Sequence, residues 1–312
     1  MQPHKKSGSA LLSALFVMSL MTIAATSMLW NLQSNIYRTQ LIVSSQNKHY
    51  ALQLANFWAM SELGDPHKLF TRVDKYQRIA VLPPDLQHLY PGYDIEADLY
   101  DLQAKFNINN ISDTQYFAMI ERLFKRIPLK LPPYEMKQLF LLMNQWIKNY
   151  DPKYEPAPLL DYYLLQKPPY LPAHQLMQSI SEIRLIKGVT PRVYRQLESY
   201  LTALPAITPI NINTASSWLL HILGNGLKDG EVDQILEARA SKGITDENKF
   251  SILINHLNIP ASQVSLRSNY FLSIATVTDK NGSTIQYTVF ERTWDKQGKL
   301  HLSILNNTVN TL

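Results

Sequence analysis

The chain has no cysteine. Disulfides, zinc–thiolate sites, iron–sulfur clusters and thiol catalysis are therefore excluded. At 312 residues it is long enough to stabilise itself through its own core, so the absence does not fix the compartment. Charge is sparse: 18% of residues are charged, no run of five basic residues occurs, and the formal net charge is +5. That is ordinary surface, not the strong imbalance of a protein that coats nucleic acid. Catalytic signatures are missing as well. There is no Gly-x-Ser-x-Gly elbow, P-loop or His-Glu-x-x-His, and the eight histidines are scattered without ligand spacing. Gly224-Asn225-Gly226 neither follows a predicted strand nor continues as a dinucleotide fingerprint. His221 sits on a largely apolar stretch and reads as a packed histidine. No enzyme is expected. With 46% hydrophobic residues, a packed core is expected and wholesale disorder is not.

What is present begins at the N-terminus. Lys5 and Lys6 precede an apolar stretch from Ala10 to Trp30 that holds no ionisable side chain. Twenty helical residues rise about 30 Å, enough to cross the hydrocarbon core. Positive charge before the span keeps the start cytoplasmic. The bulk of the chain is then periplasmic, and the protein is expected to be single-pass in the inner membrane. A cleaved secretory signal is the competing reading, but its apolar region runs only about 7–15 residues. Here Leu32, Ile36, Thr39, Ile42 and Val43, then Tyr50, Leu54 and Phe57, continue at three- and four-residue spacing. No Gly or Pro interrupts from Ser9 to Leu63. The pattern predicts one helix over these residues, apolar first and amphipathic later.

Gly64-Asp65-Pro66 ends that helix. Arg78 to Leu82 and Ile95 to Leu102 read as strands. In the second, Asp94, Glu96 and Asp98 share one face, with Ile95, Ala97 and Leu99 on the other. Three acids on one face are compatible with calcium; a solvated sheet face is the preferred reading. From Ser112 to Ser268 the pattern is largely helical. Nine of the 18 prolines lie between Pro128 and Pro172, where they punctuate helices with ordered turns. Two later segments echo each other. Ser179 to Gly188 leads into a helix through Tyr194 and Leu197, and Asn213 to Gly224 leads into one through Val232, Ile235 and Leu236. Each has a polar cap, a short helix, a Gly turn and a second helix. Tyr270 to Val277 and Thr284 to Arg292 form a hairpin across Asn281-Gly282. Sheet material thus brackets a helical block. The expected class is α+β: a long N-terminal helix on an antiparallel sheet, with an all-helical domain inserted in the sheet domain.

The leader Lys5-Lys6-Ser7-Gly8, followed by Ser9 and the long helix, resembles a type IV pilin-class precursor. That resemblance implies cleavage by prepilin peptidase between Gly8 and Ser9, with the helix retained as anchor and assembly spine. The fifth mature residue is then Ser13, where most of the class carries Glu. A membrane carboxylate needs a partner, which the class is thought to find on the subunit above, so an uncharged residue suits a subunit with nothing above it. The whole order resembles the general secretion pathway protein K family, the minor pseudopilin K of type II secretion systems. The match rests on Phe106-Asn107-Ile-Asn109-Asn110, on Ser181 to Val189 with Gly188, and on Ile210-Asn211-Ile-Asn213-Thr214-Ala215; these asparagines are expected to cap helices and close turns. The resemblance implies a tip subunit that initiates or caps the pseudopilus, with minor pseudopilins I and J as partners. Contact with secreted substrates or the secretin stays open. It divides the chain into leader 1–8, membrane helix 9–30, periplasmic helix 31–63, first sheet part 64–111, helical insertion 112–268 and closing hairpin 269–312.

One departure concerns calcium. Family members often carry acid-rich loops where this chain reads Trp146-Ile147-Lys148-Asn149-Tyr150-Asp151 and Ala157-Pro158-Leu159-Leu160-Asp161. A hard cation wants six to eight oxygens. Asp151 and Asp161 are weak candidates beside Lys148 and Leu160, so no strong metal site is expected and no cofactor is required. The functional alternative is a periplasmic helix-hairpin-helix protein that binds nucleic acid through Leu223 to Leu227. Asp229, Glu231 and Asp233 follow at once and repel phosphate, so no nucleic-acid partner is expected.

Overall fold

In the computed structural model, residues 7–149, 157–240 and 242–310 are described. Helix α1 runs from Ser7 to Gly64, 58 residues. The chain divides into two compact units, Met1–Gln53 and Leu54–Leu312, and α1 contributes to both.

In the first unit every side chain from Ala10 to Val43 is exposed. From Ala10 onward α1 is long and apolar enough to cross a membrane. Its hydroxyls are turned back onto the helix. Ser19, Thr22 and Thr26 donate to the carbonyls of Leu15, Met18 and Thr22 at 2.9, 2.8 and 2.7 Å. No polar group of these side chains is then left to face hydrocarbon unpaired.

The second unit is built on one antiparallel sheet. Its strands are β1 (Arg78–Val81), β2 (Asp94–Asp101), β3 (Tyr270–Asp279), β4 (Gly282–Trp294) and β5 (Leu300–Val309), paired in that order. In β2 the expected alternation holds: Ile95, Ala97 and Leu99 are buried, and Asp94 and Glu96 are exposed. Asp98 is held by Arg78 at 3.1 Å. The turn between β3 and β4 opens at Asp279 and closes at Gly282, whose φ of +128° suits only glycine. The closing hairpin gains a third strand that the sequence reading lacked. Asp295 Oδ1 accepts from the amides of Gln297 and Lys299 (2.9 and 2.8 Å), and Gly298 at φ +78° completes a second turn. In β5 Leu305 is an extra residue between the partners of Val289 and Phe290, a bulge that breaks the alternation a strand usually shows.

The C-terminal part of α1 lies on this sheet with Ala55, Ala59 and Leu63 buried. Polar side chains fix its register. Asn56 donates to Gln286 Oε1 at 3.0 Å and accepts from Thr288 at 2.9 Å. Arg292, itself buried, donates to the carbonyls of Leu63 (2.8 Å) and Asp65 (2.7 Å) and so caps the helix end.

The strands β2 and β3 are neighbours, yet residues 102–269 lie between them in sequence. That segment is the inserted block. It contains α2 (Phe117–Arg126), α3 (Pro133–Ile147), α4 (Ala157–Leu164), α5 (Pro191–Leu197), α6 (Asp229–Arg239) and α7 (Glu247–His256), with shorter turns between. Its helices are shorter than a largely helical pattern suggests, and from 165 to 179 there is none. Phe106, Ile108 and Ile111, expected within the first sheet part, belong instead to the core of this block. The cause is local. Asp101 Oδ1 accepts from the amide of Gln103 at 2.8 Å, starting a 3-10 turn at Leu102–Ala104 that takes the chain off the sheet ten residues earlier than expected.

Candidate functional site: anchor helix and buried polar junction

Gly8 and Ser9 open α1, and Ser13 sits on its exposed apolar portion. Lys5 and Lys6 lie outside the described residues. Nothing in the described part of this segment offers reacting groups; its chemistry suits an anchor.

The asparagine motifs lie elsewhere, in the inserted block and, for Asn211 and Thr214, at its junction with the sheet. Phe106–Asn107 runs parallel to Leu201–Thr202, and Ile210–Asn211 runs parallel to Val264–Ser265. Each short strand leads into Asn-Ile-Asn. In both copies the first Asn closes a turn: Asn107 Oδ1 accepts from the amide of Asn109 at 3.1 Å, and Asn211 Oδ1 from that of Asn213 at 2.9 Å. In both copies the Ile is fully buried. In both the second Asn clamps a distant backbone at two points. Asn109 donates to the Met177 carbonyl (2.8 Å) and accepts from its amide (2.9 Å); Asn213 does the same with Ile244 (2.9 and 2.7 Å). Asn110 clamps Thr208 likewise, at 2.8 and 3.0 Å. A primary amide is the side chain that presents one donor and one acceptor in a plane, so it can stand in for a strand partner. The short strand with its Asn-Ile-Asn turn thus occurs twice in the block, at 106–109 and 210–213. The two motifs were each legible, but their equivalence was not drawn from sequence, although the shared Asn-Ile-Asn could have signalled it.

Asp101 ties the second copy to the sheet. Its Oδ2 accepts from Asn211 (2.9 Å), Thr214 (2.5 Å) and Ser268 (2.6 Å). Burial pushes its carboxyl above the usual carboxylate range, and these hydrogen bonds only partly offset that. The folded state therefore holds the proton more tightly than the unfolded chain. Its contribution to stability must rise as pH falls from the folded pKa toward the unfolded value near 3.8. We expect the stability difference between wild type and Asp101→Asn, measured by denaturant titration of the full chain in detergent, to grow in favour of wild type between neutral pH and about 4. A difference that shrinks with acidification would show that the carboxyl is not held neutral by burial.

Residues 104–206 match the family model described as type II secretion system (T2SS), protein K. The type II secretion system protein K of Pseudomonas aeruginosa is 25% identical over 315 residues, covering 95% of this chain and 91% of the relative. That of Aeromonas hydrophila is 28% identical over 265 residues, covering 77% and 78%. Over most of its length the chain is similar to type II secretion system protein K. A chain in the crystal structure of the GspK-GspI-GspJ complex from the enterotoxigenic Escherichia coli type 2 secretion system shares the fold, with a TM-score of 0.61 at 22% identity over 88% of this chain and all of that one. α1 is long and apolar enough to serve as a transmembrane anchor. The interval matched by the family model, 104–206, contains the first Asn-Ile-Asn turn.

The other expected features sort as follows. Ser179 and Glu182 form a capping box, Gly188 turns at φ +90° and Thr190 caps α5. The first limb, Ile180–Leu185, is a 3-10 turn and not an α-helix. In the second unit, Ser216 caps Ser217–Leu220. At Gly224 an added Cβ would lie 2.9 Å from the Asn258 carbonyl, so the turn closes only without a side chain. The amides that a helix-hairpin-helix would point at phosphate are already used. Gly224 N–H donates to Gln263 (2.8 Å), Gly226 N–H to the Leu223 carbonyl (2.8 Å) and Leu227 N–H to the His221 carbonyl (3.0 Å). His221 is largely packed, bonded to the Leu227 carbonyl at 2.8 Å, with its other nitrogen 3.5 Å from Asp229. Asp161 is exposed on α4, and Asp151 lies outside the described residues. Among the described residues no group of three His, Cys, Asp or Glu could hold a metal.

Proposed function

We propose that this chain is the tip subunit of the type II secretion pseudopilus, assembled with minor pseudopilins I and J, and that it initiates or caps the fibre. One observation carries the reading. The inserted block leaves the sheet at Asp101 and returns at Tyr270, which pair with Phe271 and Glu291. Arg292, next along β4, binds the Leu63 and Asp65 carbonyls. The block is therefore attached at the end of the sheet where α1 finishes, and a subunit stacked beyond that end would meet it. Ser13 agrees: a subunit with no neighbour above has no amino terminus for a membrane carboxylate to meet. α1 would cross the inner membrane with its start in the cytoplasm, and its exposed apolar side chains, among them Leu32, Ile36, Ile42 and Val43, supply the surface for bundling with partner helices. The solved relative is itself a complex with I and J.

The test is localisation with composition. Full-length tagged chain, purified from membranes, is expected to bring down pseudopilins I and J, and labelled chain to mark one end of each pseudopilus. Label distributed along the fibre, or purification without I and J, would overturn the reading.

A further inference from the structure

One surface of the inserted block plays no part in the seam or the anchor. Leu165 is 79% exposed, Leu171 58%, Leu164 49% and Leu185 43%. The segments that carry these leucines are joined. Tyr170 Oη donates to the Leu185 carbonyl at 2.8 Å, and the Tyr170 amide donates to the Tyr163 carbonyl at 3.3 Å. Cations flank them on the same segments: Lys167, Arg184 and Lys187, with Arg192 and Arg195 on α5. Two are held in place by rings. The Arg184 guanidinium lies 5.3 Å from the centre of Tyr194, and Lys187 Nζ lies 4.9 Å from that of Tyr162.

These five cations outnumber the acids of the same segments, Asp161, Glu182 and Glu198. None of the five cations has an ion-pair partner among the described residues. Glu182, the nearest acid in sequence to Arg184, spends its carboxylate on the amides of Gln178 (2.7 Å) and Ser179 (3.3 Å) and on the Trp146 indole (3.3 Å). Exposed leucines on segments whose cations have no ion-pair partner among the described residues form a surface suited to an apolar partner bearing carboxylates. Three of the five are arginines and two tyrosines stand among them, the composition of a protein interface; arginine's fork matches a carboxylate at two points.

We infer that this leucine–arginine surface docks an acidic protein segment, in which apolar side chains seat against Leu165 and Leu171 and carboxylates meet Arg184 and Lys187. The inference rests on the tip reading only in taking the block to face the periplasm. It is tested in intact cells with the full-length chain carrying a photoreactive benzoyl-phenylalanine at position 165 or 171. The expected product is a cross-link to a segment of another periplasmic protein that contains Asp or Glu. Arg184→Glu with Lys187→Glu should lower its yield about tenfold, and reversing the cross-linked acid to Lys should restore it. Cross-links to phospholipid alone, to a second copy of this chain, or at unchanged yield in the charge-reversed chain would overturn it, as would no cross-link at all. Both changed positions are exposed, so the double variant should still bring down I and J. That readout tests the tip reading separately.

Discussion

Asn109→Asp is expected to unfold the inserted block. The Asn109 amide nitrogen donates to two buried carbonyls, Met177 at 2.8 Å and Leu204 at 2.7 Å. Asp places a second oxygen there, facing two other oxygens with no water to separate them. Each buried group left without its partner costs about 1–3 kcal/mol, and more where a charge is involved. Two stranded carbonyls and a buried charge thus approach the 5–15 kcal/mol that holds a typical domain together. Asn109→Ala strands the same carbonyls and the Met177 amide without adding charge, so it should fall between Asp and wild type, with a loss of about 3 kcal/mol or more. The repeat predicts the same order for Asn213, which holds Ile244 and, at 3.2 Å, Leu266. The measurement is the thermal midpoint of the full chain in detergent, followed by circular dichroism and by protease sensitivity within 102–269. A midpoint for Asn109→Asp within about 2 °C of wild type would mean the clamp contributes nothing to stability.

Such a clamp explains why the fold was more legible than the seam. The long helix was readable because nothing between Ser9 and Leu63 breaks it, and β2 because its acids and apolar residues alternate. The turn at Asn281-Gly282 was readable because left-handed backbone needs such residues. These are all local. The partners of Asn109 lie 68 and 95 residues away, so its sequence neighbourhood says only that an amide is present. The same holds for Asp101, which ends β2 and then collects donors from positions 211, 214 and 268. Nothing in the spacing or charge around β2 announces a buried carboxylate. β5 was missed for a different reason: its bulge inserts Leu305 between the partners of Val289 and Phe290 and spoils the period that marks a strand. The leucine–arginine surface joins residues 162–171 to 184–195 through tyrosine hydroxyls and rings, contacts that no periodicity encodes.

Gly8→Ala is expected to leave the chain as an uncleaved precursor and to abolish its assembly with I and J. Gly8 can enter a narrow protease site with an extended backbone and no side chain to exclude, which Ala cannot match as well. The consequence for assembly follows from charge. A retained leader keeps Lys5 and Lys6 at the head of α1. Drawing the helix out of the bilayer into a fibre would pull both ammonium groups toward hydrocarbon or into an apolar helix bundle. Each costs about 3 kcal/mol at the bilayer centre on insertion scales. That cost opposes extraction, so the precursor should stay in the membrane while processed chain leaves it. Intact-mass measurement of the chain from cells with and without prepilin peptidase decides the matter. A mature protein that begins at Ser9 only when the peptidase is present establishes the anchor as the assembly spine. A chain cut near Ala25 without the peptidase would remove the apolar helix altogether, and with it the basis for a membrane-borne tip subunit.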